Sequence, residues 1–212
     1  MRDTSLVYPI REDGAILLGR KKRGMGFGKW NGFGGKIEDG ETMEECAVRE
    51  LFEECALAAE SCDLEFAADL YFSQPSDPRW SHGGTVYFLK SWKGEPCATD
   101  EMEPRWFALS ALPYDEMWEA DKIWLPMILS GKKIKGTVIF AEDGDTVTDT
   151  EFSEILRNGK YGRICSWHGL TAIKENFRGG KRRRAIRMLC GFRKLCFSRR
   201  GRRRCVRILK RG

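Results

Sequence analysis

No run of roughly 18 apolar residues, the length a spanning helix needs, occurs in this 212-residue chain. A membrane-crossing helix is therefore not expected. The opening stretch, MRDTSLVYPIRED, has too short an apolar segment for a secretory leader, so a reducing, cytoplasmic setting is expected. On that basis the eight cysteines are read as mostly free thiols. Cys190, Cys196, Cys205 and His168 lack paired C-x-x-C spacing, which argues against zinc. Internal repeats are absent. Acid is scarce in one place only: residues 157–212 contain Glu175 against 20 Lys and Arg, a balance of +19. Residues 1–156 carry 30 Asp and Glu against 17 Lys and Arg, a balance of −13. The overall +6 hides an acidic globular part, 1–156, and a basic tail, 157–212.

The first part reads as α+β, one sheet system flanked by helices. SLVYPI (5–10) and AILLG (15–19) are apolar runs on either side of Asp13-Gly14, a hairpin signal. Eight glycines between Gly19 and Gly40 point to a shaped loop rather than regular structure. From Thr42 to Cys55 there is neither Gly nor Pro, and Met43, Ala47, Leu51 and Cys55 recur at helical spacing. Thr42 followed three residues later by Glu45 predicts a capping box. Strands are expected at 64–72, 84–92, 104–109, 137–141 and 146–155, and a second helix over Asp115 to Leu129.

Glu50, Glu53 and Glu54 stand at i, i+3 and i+4, so their carboxylates share a helix face and repel. A cation should offset them. Carboxylates beside a glycine-rich backbone form a hard oxygen site suited to Mg2+ or Mn2+. Arg49 is expected to point elsewhere and pair with Glu41. The competing interpretation is a solvated acidic face.

The stretch GKIEDGETMEECAVRELFEECAL (35–57) resembles the Nudix box, G-x5-E-x7-R-E-U-x-E-E-x-G-U, where U is bulky and aliphatic. Gly35, Glu41, Arg49, Glu50, Glu53 and Glu54 match fixed positions, and Leu51 and Leu57 fill the U positions. Ala56 replaces the family's last glycine. If that position needs positive φ, alanine costs about 1 kcal/mol. The runs LLGRKKRGMGFGKWNGFGGKIEDGET, TDEMEPRWF and YDEMWEADKIWLP extend the resemblance to the MutT-type oxidized purine nucleoside triphosphatases.

That resemblance implies an α/β/α sandwich with a mixed sheet, followed here by the basic tail. It also implies Mg2+-dependent hydrolysis of purine nucleoside triphosphates to monophosphate and pyrophosphate, by a chain expected to act as a monomer. The implied metal ligands are the Gly34 carbonyl, Glu50, Glu53, Glu54 and Glu101, with Glu53 or Glu54 taking the proton of the attacking water. The implied substrate contacts are Lys21, Asn31, Phe33, Gly34, Gly35, Lys36, Met102, Trp118 and Asp121. Asparagine offers both donor and acceptor to a purine edge, and Trp118 can stack on the base. Where the animal enzymes of this class carry two adjacent aspartates, this chain has Ala120 and Asp121, which should alter its preference among oxidized bases.

The alternatives are a different nucleoside diphosphate-linked substrate, such as ADP-ribose or a dinucleoside polyphosphate, or a nucleic-acid-binding protein acting through its tail. The tail is read as a disordered extension; its charge would also suit RNA, DNA or an anionic membrane surface.

Overall fold

The computed structural model describes residues 2–156 and two short strands at 161–163 and 167–168. Its elements are β1 (Thr4–Pro9), β2 (Ala15–Lys21), β3 (Trp30–Asn31), α1 (Met43–Cys55), β4 (Leu64–Ser73) and β5 (His82–Leu89). They continue with β6 (Met102–Ala108), α2 (Asp121–Leu129), β7 (Ile134–Phe140), β8 (Val147–Ile155), β9 (Tyr161–Arg163) and β10 (Trp167–His168). The described strands form a mixed sheet ordered β1-β5-β4-β7-β8-β10, with β9 also on β8, and a smaller sheet ordered β3-β2-β6. In the larger sheet β1–β5 and β4–β7 run parallel. No helix among the described residues is long and apolar enough to cross a membrane.

Strand alternation divides the core between two faces. Val7 and Leu17 pack with Ala47, Leu51 and Cys55 of α1. Tyr8, Ile16 and Leu18, their sequence neighbours, pack with Trp124, Leu125 and Ile128 of α2. Both faces of β1 and β2 are thus buried, which accounts for their nearly continuous apolar runs. The arrangement is the expected α/β/α sandwich, with the sheet layer in two parts.

Two local expectations need correction. Asp13-Gly14 does form a turn, with Gly14 at φ +81°. However, β1 joins β5 in the larger sheet while β2 joins β6 in the smaller, and only the Ile10–Ile16 bridge links the runs. The turn closes a short antiparallel contact, with Arg11 N–H donating to the Ala15 carbonyl at 2.9 Å, and the two strands then part into different sheets. The second helix begins at Asp121, later than expected, because Tyr114–Glu116 forms its own 3-10 turn and Met117 is extended. Pro126 is accommodated within it.

Sheet pairing continues past residue 156: Ile155 faces Tyr161 and Thr150 faces Trp167. The remainder of the expected basic tail lies outside the described residues. Of the cysteines described, Cys46, Cys55, Cys62 and Cys97 are free thiols.

Candidate active site

Helix α1 starts where its local chemistry requires. The Thr42 hydroxyl accepts from Glu45 N–H at 3.2 Å, and the Glu45 carboxylate accepts from Thr42 N–H at 2.8 Å. It ends at Ala56, which adopts φ +61° and donates its N–H to the Phe52 carbonyl. The left-handed position anticipated from the missing glycine is therefore real.

Residues 33–35 lie against β1 as an extra extended segment. Val7 and Phe33 exchange backbone hydrogen bonds, and Ser5 N–H donates to the Gly35 carbonyl at 2.9 Å. Glycine is required twice here by close approach. A Cβ on Gly34 would meet the Ser5 carbonyl oxygen at 1.9 Å, and one on Gly35 would meet the Glu50 carboxylate at 2.2 Å. Because the Phe33 and Gly35 carbonyls face β1, extended alternation turns the Gly34 carbonyl to the other side. Gly34 N–H on that side donates to Glu54 Oε2 at 2.8 Å.

Glu54 forms the floor of the site and is only 2% exposed. Burial pushes its carboxyl up to about 7, against the lowering influence of Lys21 and the Gly34 N–H. Burial likewise raises Glu50, with Arg49 opposing. Lys21 Nζ sits 3.2 Å from Glu54 Oε1 and 3.9 Å from Glu101 Oε2. Glu101, whose carboxyl is held below its ordinary value chiefly by its hydrogen bond to Arg23, forms the opposite wall.

Arg49 corrects the expectation that it points away. It makes a two-pronged pair with Glu41, at 2.8 and 3.0 Å, and also reaches Glu50 at 2.9 Å and Glu53 at 3.3 Å. Its hydrogen bonds hold Glu41 down at about 2. The guanidinium thus offsets the carboxylate face of α1 and also fixes the preceding loop through the Lys36 carbonyl.

A cleft of about 890 Å³ brings Lys21, Gly34, Gly35, Glu50, Glu54 and Glu101 together, with Lys36 also on its wall. Glu53 is not on that lining; its side chain is 56% exposed on the outer side and paired with Arg49. Among the described residues no three Asp, Glu, His or Cys side chains converge tightly enough to enclose an ion. Lys21 instead places one positive centre between Glu54 and Glu101, and Arg49 another against Glu50. The residues fit a divalent ion in donor type, hard oxygens from facing walls, and the cleft already arranges them around positive charge. An ion between the walls requires Lys21 to give way.

A second chamber of about 990 Å³ adjoins the first and shares Lys21, Gly34, Gly35, Lys36 and Glu101 with it. Its walls include Asn31, Met102, Trp118, Ala120 and Asp121. The Asn31 amide oxygen accepts from Gly32 N–H at 2.8 Å and Tyr8 hydroxyl at 3.3 Å, which leaves the NH2 as the group offered to a ligand. Asp121 is 4% exposed, and its Oδ2 has no hydrogen-bond partner in the protein. Burial raises its carboxyl to about 7, with Trp118 and Trp124 N–H groups and Lys29 opposing. Near neutrality this carboxyl can therefore donate as well as accept.

Phe33, expected as a pocket wall, is fully buried in the α1-side core and lines neither chamber. Lys29, Tyr8 and Gln74 were not anticipated; the chain brings them here through contacts distant in sequence. Gln74 is the clearest case. Its amide NH2 donates to Ser76 Oγ at 2.8 Å and to the Ala141 carbonyl at 2.7 Å, tying two rims of the chamber together. The lysine after a run of alternating glycines was the one available signal for Lys29.

Residues 1–128 match the NUDIX domain family. The oxidized purine nucleoside triphosphate hydrolase of Danio rerio is 36% identical over 146 residues, covering 69% of this chain and 91% of the fish protein. The oxidized purine nucleoside triphosphate hydrolase of Mus musculus is 37% identical over 140 residues, covering 66% and 87%. Among solved structures, a MutT protein from Bacillus halodurans superposes with a TM-score of 0.62 at 20% identity. That likeness covers 72% of this chain and 97% of the bacterial one, and it bears on the fold alone.

Proposed function

The chain belongs to the NUDIX domain family, and on that premise we propose that it hydrolyses oxidized purine nucleoside triphosphates to the monophosphate and pyrophosphate. Such a reaction removes damaged precursors from the nucleotide pool. The observation carrying this reading is the continuity of the two chambers, one walled by glutamates and the other by an amide, an indole and a buried carboxyl.

Mg2+ is the proposed ion, with Mn2+ able to replace it, and Glu50, Glu54, Glu101 and the Gly34 carbonyl would hold it. Bound there, a divalent ion polarises the phosphoryl group and lowers the pKa of the attacking water. Lys21, now paired with Glu54 and Glu101, would then be free to pair with a phosphate oxygen. Lys36, which lines both chambers, would add a second cation for the phosphate chain. Of the two glutamates considered for the water's proton, Glu54 is favoured because it lines the cleft while Glu53 lies outside and is held by Arg49. In the second chamber Asn31 NH2 donates to the purine edge, Trp118 stacks on the ring, and Asp121 donates or accepts at a second edge position. Ala120 adds no polar group to this edge, so the order of preference among oxidized bases should differ from that of enzymes with two carboxylates there.

Pyrophosphate release with Mg2+ on 8-oxo-dGTP, 2-oxo-dATP, dGTP, ADP-ribose and a dinucleoside polyphosphate tests the reading. Preference for an oxidized purine, with roughly a 100-fold loss in Glu54→Gln, supports it. Equal rates across the panel, or preference for a diphosphate-linked nucleoside, overturn it.

A further inference from the structure

Lys29 emerges from a loop in which Gly24, Gly26 and Gly28 all take positive φ. Its backbone is fixed by N–H donation to the Gly26 carbonyl and by acceptance from Lys21 N–H, both at 2.9 Å. The ammonium lies 4.9 Å from the Trp118 ring centroid, over the ring. It also donates to the Met117 carbonyl at 3.3 Å and to Asp145 Oδ2 at 2.9 Å. Asp145 Oδ1 in turn accepts from Glu119 N–H at 3.4 Å. The residues immediately before and after Trp118 are therefore tied to the same ion pair that touches its ring. The loop backbone presses on the indole as well: a Cβ on Gly26 would meet Trp118 Cζ2 at 2.8 Å.

Lys29 lines the larger chamber and not the glutamate-walled one, and its charge is already matched by Asp145. Both facts argue against a role in holding the phosphate chain. An indole that is to stack on a base gains most when its plane is set before the base arrives.

We infer that Lys29 is a positioning residue: it fixes the Trp118 ring for purine stacking through a cation–π contact and the Asp145 anchor. This rests on the reading of the larger chamber as the base site. Lys29 governs affinity for the base and leaves the phosphoryl chemistry untouched.

The test uses Lys29→Met, Lys29→Arg and Asp145→Asn in the full chain. Steady-state hydrolysis of 8-oxo-dGTP gives kcat and KM. Quenching of tryptophan fluorescence by 8-oxo-deoxyguanosine, which has no phosphates, gives a dissociation constant for the base alone. In Lys29→Met both KM and that constant should rise about fivefold, with kcat within twofold of wild type. Lys29→Arg, which retains the cation over the ring, should recover most of the loss. Asp145→Asn should move both quantities in the same direction by less.

A rise in KM with unchanged nucleoside binding would make Lys29 a phosphate contact and overturn the inference. Equal losses in kcat, or no rescue by arginine, would reduce it to a structural lysine and overturn it too. If wild type fails to hydrolyse 8-oxo-dGTP, the proposed function falls, while the nucleoside titration still decides the role of Lys29.

Discussion

Ala56 shows what one methyl group does at a helix end. At φ +61° its Cβ crowds the neighbouring backbone, a conformation glycine adopts without that penalty. Ala56→Gly should raise stability by about 1 kcal/mol, less the entropy that glycine adds to the unfolded chain. Thermal unfolding should show a midpoint about 2–4 °C higher. Asp121 presents the opposite case, a group held against its own ionization. Its carboxyl, ordinarily near 3.8, is raised to about 7 by burial. Between those values the unfolded chain has lost the proton and the folded one has kept it. This residue's contribution to stability therefore falls as pH rises from about 4 to 7 and stays low above that. Asp121→Asn should remove the fall, gaining on the order of 4 kcal/mol at pH 8 and little at pH 4. Denaturant titrations at the two pH values measure the difference, and an equal effect at both would contradict the burial argument. At this scale the sequence made the box residues legible through their spacing, and Gly34 and Gly35 are dictated by close approach, the first to the Ser5 carbonyl of β1 and the second to the Glu50 carboxylate of α1. It did not reveal that Phe33, next in line, is committed to the core, because β1 and α1 decide which side of that loop is buried.

Helix α1 was readable almost to the residue, and the reason is local. Thr42 and Glu45 cap each other across three residues, and the apolar stripe lies on one face. What the pattern could not display is how Arg49 spans Glu41, Glu50 and Glu53 at once, because that requires the loop to fold back over the helix. Lysine has one compact ammonium and cannot reproduce a two-pronged pair along with two further contacts. Arg49→Lys should therefore lose about 1–3 kcal/mol of stability and restore repulsion along the acidic face. Millimolar Mg2+ should return part of the lost unfolding midpoint in the variant, more than it raises the wild type. Calorimetry with and without the ion checks this, and identical gains in both chains would show that the ion does not meet these carboxylates. The Asp13-Gly14 turn belongs to the same scale. Its chemistry is local, but β5 and β6, far along the chain, determine that its two strands join different sheets.

For the molecule as a whole, the decisive question is where the catalytic unit stops. Composition alone sets the boundary at 156, beyond which Glu175 is the one acid in the sequence. Hydrogen bonding gives a different argument. Strand β8 has β7 on one side, while β9 and β10 take its other side, through Ser153–Arg163, Ile155–Tyr161 and Thr150–Trp167. A chain ended after Ile155 would leave that edge of β8 unpaired, with its N–H and C=O groups open to association. A chain ended after Thr171 keeps the pairing and removes most of the basic residues. Two truncations therefore separate charge from fold. The Thr171 form should retain pyrophosphate release within twofold and lose binding to heparin or single-stranded nucleic acid, because that binding depends on releasing counterions from many cations. The Ile155 form should unfold at lower temperature and self-associate on size-exclusion chromatography. Equal stability of the two would place the boundary where the charge changes and reduce β9 and β10 to an ornament on the sheet. Loss of hydrolysis in the Thr171 form would instead give the basic segment a part in catalysis, drawing triphosphate toward a domain whose own balance of −13 opposes its approach.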